Sequence, residues 1–265
     1  MYAFNYHRPS SVNDAAALAS KSVDAKLLAG GQSLVQAMKL RLAQPSDLID
    51  LGSLKDLAGI KAGGSEITIG AMTRHAEVAK SADVKRAIPA LAALAGMIGD
   101  PQVRNMGTLG GALANNDPAA DYPAAVLGLG ATVSTNKRKI AADDFFKGMF
   151  ATALQQGEII TSVSFPVPKR AAYTKFKNPA SRFAIVGVFV ADTGSGVRVA
   201  VTGAGAGVFR QKDMEKALSA KFAPESAAGV KQKADGLNSD LHASAEYRAH
   251  LVSVMAKRAV EAALK

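Results

Sequence analysis

Two short stretches carry the residue types from which a binding site for an oxygen-rich anion is made. The first is Ala29-Gly30-Gly31-Gln32-Ser33 and the second is Thr108-Leu109-Gly110-Gly111-Ala112. Each sets consecutive glycines beside a hydroxyl, and neither holds a charged side chain. Glycine admits φ > 0 and has no Cβ to keep a ligand away from the backbone. Successive amide N–H groups can then converge on an anion, and a following helix N-terminus adds partial positive charge. A Gly-Gly pair after an apolar run is also an ordinary turn. Two of them, each leading into a helical pattern, point to one diphosphate gripped from opposite sides.

The other chemistry-bearing residues form no motif of their own. The histidines His7, His75, His242 and His250 lack His-Glu-x-x-His spacing, and surface or capping roles are expected for each. Cysteine is absent, which excludes disulfides, thiolate-held zinc, iron–sulfur ligation and a cysteine nucleophile within the chain. Gly203-Ala204-Gly205-Ala206-Gly207 has the spacing G-x-G-x-G, without a βαβ unit around it, and reads as a glycine-rich strand exit rather than a dinucleotide fingerprint. Asp121 opens an apolar helix and suits either a cap or a ligand contact.

The elements that must hold these stretches follow from periodicity. A helix is expected over 11–21 with Ser11 or Asn13 as cap, then a short strand at 26–29 running into the first glycine pair. Leu34, Val35, Met38, Leu40 and Leu42 then recur at helical spacing before Pro45, and 48–51 reads as a strand. A hairpin around Gly63-Gly64, a helix from Thr73 to Ala79 capped by Thr73, and a helix over 89–98 follow. Residues 101–107 read as an irregular connector into the second stretch. Small polar residues dominate 113–121, which suits a loop wrapped round a polar ligand. A helix at 123–130, a hairpin at 131–141 and a strand at 158–166 complete the first part. Pro166-Val167-Pro168 reads as a boundary. Beyond it, 172–177, 183–191 and 197–202 alternate as an antiparallel meander, and helices are expected at 211–219, 225–234 and 244–263.

The chain has 265 residues, 48% of them hydrophobic, enough for one large or two ordinary domains. No apolar run is long enough for a membrane span, and the start lacks the features of a signal peptide. A cytoplasmic protein is expected, held at most to the inner face of a membrane through partners. The net charge of +10 fits nucleic acid, an acidic partner or a solvated surface. The basic residues are dispersed without interleaved aromatics, so nucleic acid is not expected.

The two glycine stretches also sit in longer ordered motifs. Ala29-Gly30-Gly31-Gln32-Ser33-Leu34 precedes Met38-Lys39-Leu40-Arg41-Leu42. Asp100-Pro101-Gln102-Val103-Arg104-Asn105-Met106-Gly107 leads into Thr108-Leu109-Gly110-Gly111, and Asp117-Pro118-Ala119-Ala120-Asp121-Tyr122-Pro123 follows. These motifs resemble the FAD-binding (medium) subunits of molybdenum hydroxylases, closest to those of aerobic carbon monoxide dehydrogenase and xanthine dehydrogenase, over essentially the whole chain. The resemblance implies an α+β fold. It has an FAD-binding domain of the vanillyl-alcohol oxidase and p-cresol methylhydroxylase type (1–167, lobes 1–55 and 56–167). A small α+β domain (168–265) follows, with a three-stranded antiparallel sheet plus helices.

Non-covalent FAD is the cofactor so implied, clasped at its diphosphate by the two glycine stretches. Contacts are expected from Leu28, Ala29, Gly30, Gly31, Gln32, Ser33 and Leu34, and from Gly107, Thr108, Gly110, Gly111, Ala112 and Asn116. Asp121 is expected on the adenosine side, with Ile98 and Ile160 near the cofactor. Lys177 is placed near the flavin end and Phe183 beside its ring. Two departures stand out: Gln32 where the family often has histidine, and Ala112 where it often has asparagine. The alanine removes a side-chain hydrogen bond that Asn115 or Asn116 could replace. Without cysteine, the chain must rely on partners: a small subunit with 2Fe–2S clusters and a large subunit with the molybdenum cofactor, as a dimer of heterotrimers. Its role is then electron transfer from a partner cluster through FAD to an external acceptor, with no catalytic residue of its own. The competing readings are a stand-alone FAD-dependent oxidoreductase of the same fold and a non-enzymatic basic binding module.

Overall fold

The computed structural model describes residues 1–265. The first lobe is a parallel three-stranded sheet in the order Asn5–His7, Asp47–Asp50, Lys26–Leu28. Helix Val12–Lys21 packs on it through Ala15 and Ala19, beside Ile49, Leu51 and Leu54. Ser11 caps that helix by accepting a hydrogen bond from the Asp14 amide at 3.0 Å. The helix after the first glycine pair is shorter than its pattern predicts and covers Leu34–Lys39. Arg41 adopts φ 61°, the Leu42 amide turns back onto the Ala37 carbonyl (2.8 Å), and Leu40 and Leu42 face solvent.

A five-stranded antiparallel sheet forms the second lobe, ordered Ile60–Gly63, Glu66–Gly70, Ile160–Pro166, Thr132–Thr135, Lys139–Ala141. Ile67, Ile69, Val163 and Phe165 project from it into the largest core, together with helices Pro89–Gly96, Leu109–Asn115 and Tyr122–Leu129. Every residue of Tyr122–Leu129 is buried. A helix that is apolar all round needs cover on all sides, and the C-terminal sheet provides the remainder through strands Ala184–Asp192 and Val197–Thr202.

That last sheet is an antiparallel meander of Arg170–Lys177, Ala184–Asp192 and Val197–Thr202, extended by a short fourth strand, Phe209–Arg210, absent from the three-stranded expectation. Strand Ala184–Asp192 is buried on both faces. Phe189 and Ala191 join the second lobe's core, while Val186, Val188 and Val190 meet Val252, Met255 and Ala259 of helix Ala245–Ala263. One strand therefore belongs to two cores.

Several local expectations need correction. Residues 101–107 are not irregular: Pro101–Met106 is a helix, with Pro101 at its first position and the Asp100 carboxylate accepting from the Val103 amide at 2.8 Å. Thr73 does not cap the next helix, which runs His75–Lys80 with Arg74 at the N-cap and Glu77 accepting from the Arg74 amide. Its hydroxyl instead bridges the amide and carbonyl of Gly59 at 2.9 and 3.0 Å. Residues 113–121 are partly helical: Leu109–Asn115 is a helix, closed by Asn116 in the left-handed region (φ 44°). The stretch 225–234 forms only one short helix, Pro224–Ala228.

Candidate cofactor site

The first glycine stretch begins where strand Lys26–Leu28 ends and turns through Gly31 at φ 69° into helix Leu34–Lys39. The amides of Gly30, Gly31, Gln32, Ser33 and Leu34 donate to no protein group. The Gln32 side-chain amide folds back on the Gly30 carbonyl at 3.3 Å and stabilises the turn without covering those donors. Unpaired N–H groups in a folded chain require water or a ligand. Five in succession at a helix start, without a neighbouring carboxylate in the turn, favour an anion.

The second stretch is built differently. Thr108 is the N-cap of Leu109–Asn115, its hydroxyl accepting from the Gly111 amide at 3.2 Å, and Gly110 and Gly111 form the first helical turn. The Leu109 amide donates to the Thr73 carbonyl (3.1 Å), the Gly110 amide to Ala71 (2.8 Å) and the Ala112 amide to Thr108 (3.0 Å). Two of these four donors tie the turn to the segment 71–75 and the other two close on Thr108, which leaves the first stretch as the main source of open amides.

The two stretches touch. A Cβ added to Gly30 would lie 2.1 Å from the Met106 carbonyl oxygen and 2.7 Å from Gly107 Cα, and one on Gly111 would lie 3.4 Å from Ala29 Cβ. The glycines therefore serve loop-on-loop packing. Likewise a Cβ on Gly110 would meet Ala71 at 2.6 Å, and one on Gly31 would meet Val35 and Leu28 at 2.9 and 3.3 Å. The side on which Cβ is missing is filled by protein, while the amide edge of 30–34 stays open.

Ile98 and Gly99 form a junction beside this site. Arg104 donates to both carbonyls, at 2.9 and 3.2 Å, and Arg182 from the C-terminal domain reaches Gly99 at 3.4 Å. The loop that carries Lys177 and Phe183 is thereby tied to the Ile98 turn. Lys177 is exposed and Phe183 is 48% exposed, so both are accessible beside the junction. Ile160 is a core residue whose side chain joins the second lobe's cluster, and the next carbonyl, Thr161, accepts from Ala71 behind the second stretch (2.9 Å).

Asp121 and Asn116 have protein partners that their sequence positions did not reveal. The Asp121 carboxylate makes no cap bond; it accepts from Tyr173 Oη at 2.5 Å and from Lys175 Nζ at 2.9 Å in a buried cluster. Burial pushes its pKa up against the opposing pull of Lys175 and Tyr173. Lys175 Nζ also donates to the Met97 carbonyl at 3.0 Å, so the cluster braces the turn at Ile98. Asn116 Nδ2 clamps the Gly148 and Ala151 carbonyls at 2.8 and 2.7 Å and holds the hairpin that presents Met149 and Phe150 to solvent. Ala112 contributes no free amide, and the Asn116 side-chain donors are engaged elsewhere, so neither makes good the missing asparagine.

His75 corrects the expectation of a surface histidine. It is buried against Tyr122, with ring centroids 5.3 Å apart, and its pKa is lowered to about 4 by burial and by the nearby Arg104 charge. Tyr173 and Lys175 were not singled out by sequence reasoning, and His75 only as one of four scattered histidines. A faint signal existed for the first two, since Tyr173 and Lys175 are two apart on one strand and share a face.

Two lobes that meet at glycine turns, one presenting a row of open amides, are the arrangement of a protein that holds a dinucleotide cofactor by its diphosphate. The profile described as FAD binding domain in molybdopterin dehydrogenase matches residues 2–168, and that of the CO dehydrogenase flavoprotein C-terminal domain matches 171–263. The chain is 38% identical to the nicotine 6-hydroxylase medium subunit of Paenarthrobacter nicotinovorans, over 97% of this chain and 96% of that one. It is 37% identical to the carbon monoxide dehydrogenase medium chain of Afipia carboxidovorans, over 98% and 96%. Among solved structures, carbon monoxide dehydrogenase from Hydrogenophaga pseudoflava that lacks the Mo-pyranopterin moiety superposes with a TM-score of 0.90 at 36% identity. The match covers 99% of this chain and 98% of that one. The chain belongs to the family of FAD-binding oxidoreductase subunits of molybdenum hydroxylases.

Proposed function

We propose that this chain is the electron-transfer subunit of a complex with a small 2Fe–2S subunit and a large molybdenum-cofactor subunit, arranged as a dimer of heterotrimers. The observation that carries the reading is the row of five unpaired amides at Gly30–Leu34, which fits the diphosphate of FAD, in a chain without a cysteine to hold a cluster. Bound FAD would supply the redox chemistry that links a partner's cluster to an external acceptor such as a quinone, NAD or oxygen. The chain's own residues bind and orient. Leu28–Leu34 would hold the diphosphate through the open amides of Gly30–Leu34, and Gly107, Thr108, Gly110, Gly111 and Ala112 would close on it from the other side. Ile98 and Ile160 would flank the cofactor, and Lys177 and Phe183 would approach its ring from the C-terminal domain. Asp121 retains lone pairs beyond those used by Tyr173 and Lys175, which suffices for an adenosine hydroxyl. Asn116 would act by fixing the end of the glycine helix. No residue of this chain activates the substrate. No helix here is long and apolar enough to cross a membrane. The reading puts the complex in the cytoplasm.

Co-expression with the neighbouring subunits tests this. The assembled complex should carry one FAD per copy of this chain, and its flavin should be bleached by the substrate of the large subunit only when the iron–sulfur subunit is present. Turnover of a small substrate by the isolated chain would instead establish the stand-alone oxidoreductase.

A further inference from the structure

We infer that His75 is a positioning residue that sets the spacing of the two glycine turns, and with it the affinity for FAD; this rests on the FAD reading above. Four groups are stacked without a gap. The Cβ direction of Gly30 ends 2.7 Å from Gly107 Cα, and that of Gly107 ends 2.6 Å from His75 Nε2 and 2.9 Å from its Cδ2. The imidazole also packs on Tyr122, with ring centroids 5.3 Å apart and an interplanar angle of 51°. Each Cβ distance is too short for a side-chain carbon, so both glycines are required by what lies behind them and not only by a ligand in front. The His75 backbone fixes the same point: its amide donates to the Gly107 carbonyl at 3.0 Å, and Arg74 and Thr108 form an antiparallel bridge.

Hydrogen bonding does not explain the imidazole. Its Nδ1 and the Tyr122 hydroxyl are both buried without a partner, an arrangement that opposes stability. What the imidazole supplies is reach: its Nε2 and Cδ2 fill the space behind Gly107. Burial and the Arg104 charge keep that ring neutral, with a pKa of about 4, so the spacer carries no charge near neutrality. Sequence spacing gave no hint of this, because residues 30, 75, 107 and 122 are brought together only by the fold.

The test uses the full chain, stripped of FAD and titrated with FAD while flavin fluorescence is followed, with the apoprotein's Tm measured in parallel. His75→Ala should weaken FAD binding about tenfold, a coupling in the usual range for residues in contact. His75→Leu should restore most of the lost Tm while leaving the affinity reduced, since leucine fills the apolar space but ends short of the position that Nε2 holds behind Gly107. Gly107→Ala should weaken binding about tenfold in the native background and under threefold in His75→Ala, where the vacated space accepts the new Cβ. Native affinity in His75→Ala overturns the inference, as does full recovery of both Tm and affinity in His75→Leu. An equal penalty for Gly107→Ala in both backgrounds also overturns it. If the unmutated chain takes up no FAD, the cofactor reading fails instead. Should Gly107→Ala not fold, the two His75 variants decide the matter alone.

Discussion

Removing the amine from the Asp121 cluster gives the most demanding check on the electrostatics. Lys175→Met keeps the length of the side chain and leaves the Asp121 carboxylate buried, with only the Tyr173 hydroxyl against it. Breaking a buried pair by deleting one partner costs about 3–5 kcal/mol. An upper limit follows from protonation. At pH 7 a carboxyl of ordinary pKa 3.8 can escape burial as an anion by taking a proton at a cost of about 4 kcal/mol, and at pH 5 for about 2 kcal/mol. The penalty in Lys175→Met should therefore approach 4 kcal/mol at pH 7 and shrink by about half at pH 5. In a chain of this size that is a fall in Tm of roughly 10 °C at neutral pH. Thermal unfolding of the native and variant apoproteins at both pH values reads the effect. The double variant Asp121→Asn with Lys175→Met, which has no charge to bury, should recover much of the loss. An unchanged Tm at pH 7, or a penalty that does not depend on pH, would refute the buried ion pair as described.

Gly30→Ala should lower the FAD content of purified protein, because its methyl would sit 2.1 Å from the Met106 carbonyl and force the two turns apart; the 450 to 280 nm absorbance ratio measures this. His75 gives stability a defined pH dependence. Its folded pKa of about 4 lies below its ordinary 6.5, so the unfolded chain binds the extra proton, and about 3 kcal/mol of stability is lost as pH falls from 6.5 to 4. Urea titrations across that window should show this slope in the native chain and a shallower one in His75→Leu. Glu158 acts further into acid. Hydrogen bonds from Arg138 above all, with Gln155 and Thr135 adding to them, hold its pKa at about 2, against an ordinary 4.5. Its contribution is complete above pH 4.5 and disappears as pH falls toward 2, and Glu158→Gln should flatten that limb in acid unfolding followed by circular dichroism.

Local pattern made the helices at 12–21, 122–129 and 245–263 and the meander legible, because an apolar face at fixed period survives any detail of packing. It was misleading at 40–42, where Leu40 and Leu42 keep a helical spacing although Arg41 has already reversed the chain. It also missed Pro101–Met106, whose cap and proline were visible but whose residues lack an apolar face, since none of the six is buried. The glycine turns were expected to grip one ligand from opposite sides, and the structure sets them in direct contact. The reason offered for the glycines was incomplete, because what stands behind a missing Cβ belongs to residues far away in sequence. Tyr173, Lys175 and His75 were hidden for the same reason. Nothing in the run Arg170–Lys177 says that its first lysine, Lys175, is buried against an acid 54 positions earlier.

Packing one glycine turn directly on the other means that protein contacts, and not the occupant alone, hold the receptacle together. Folding already covers the entropy of closing those turns, so little of the recognition energy is consumed by ordering them. Mild chaotropes that release the flavin should therefore leave a vessel ready for refilling.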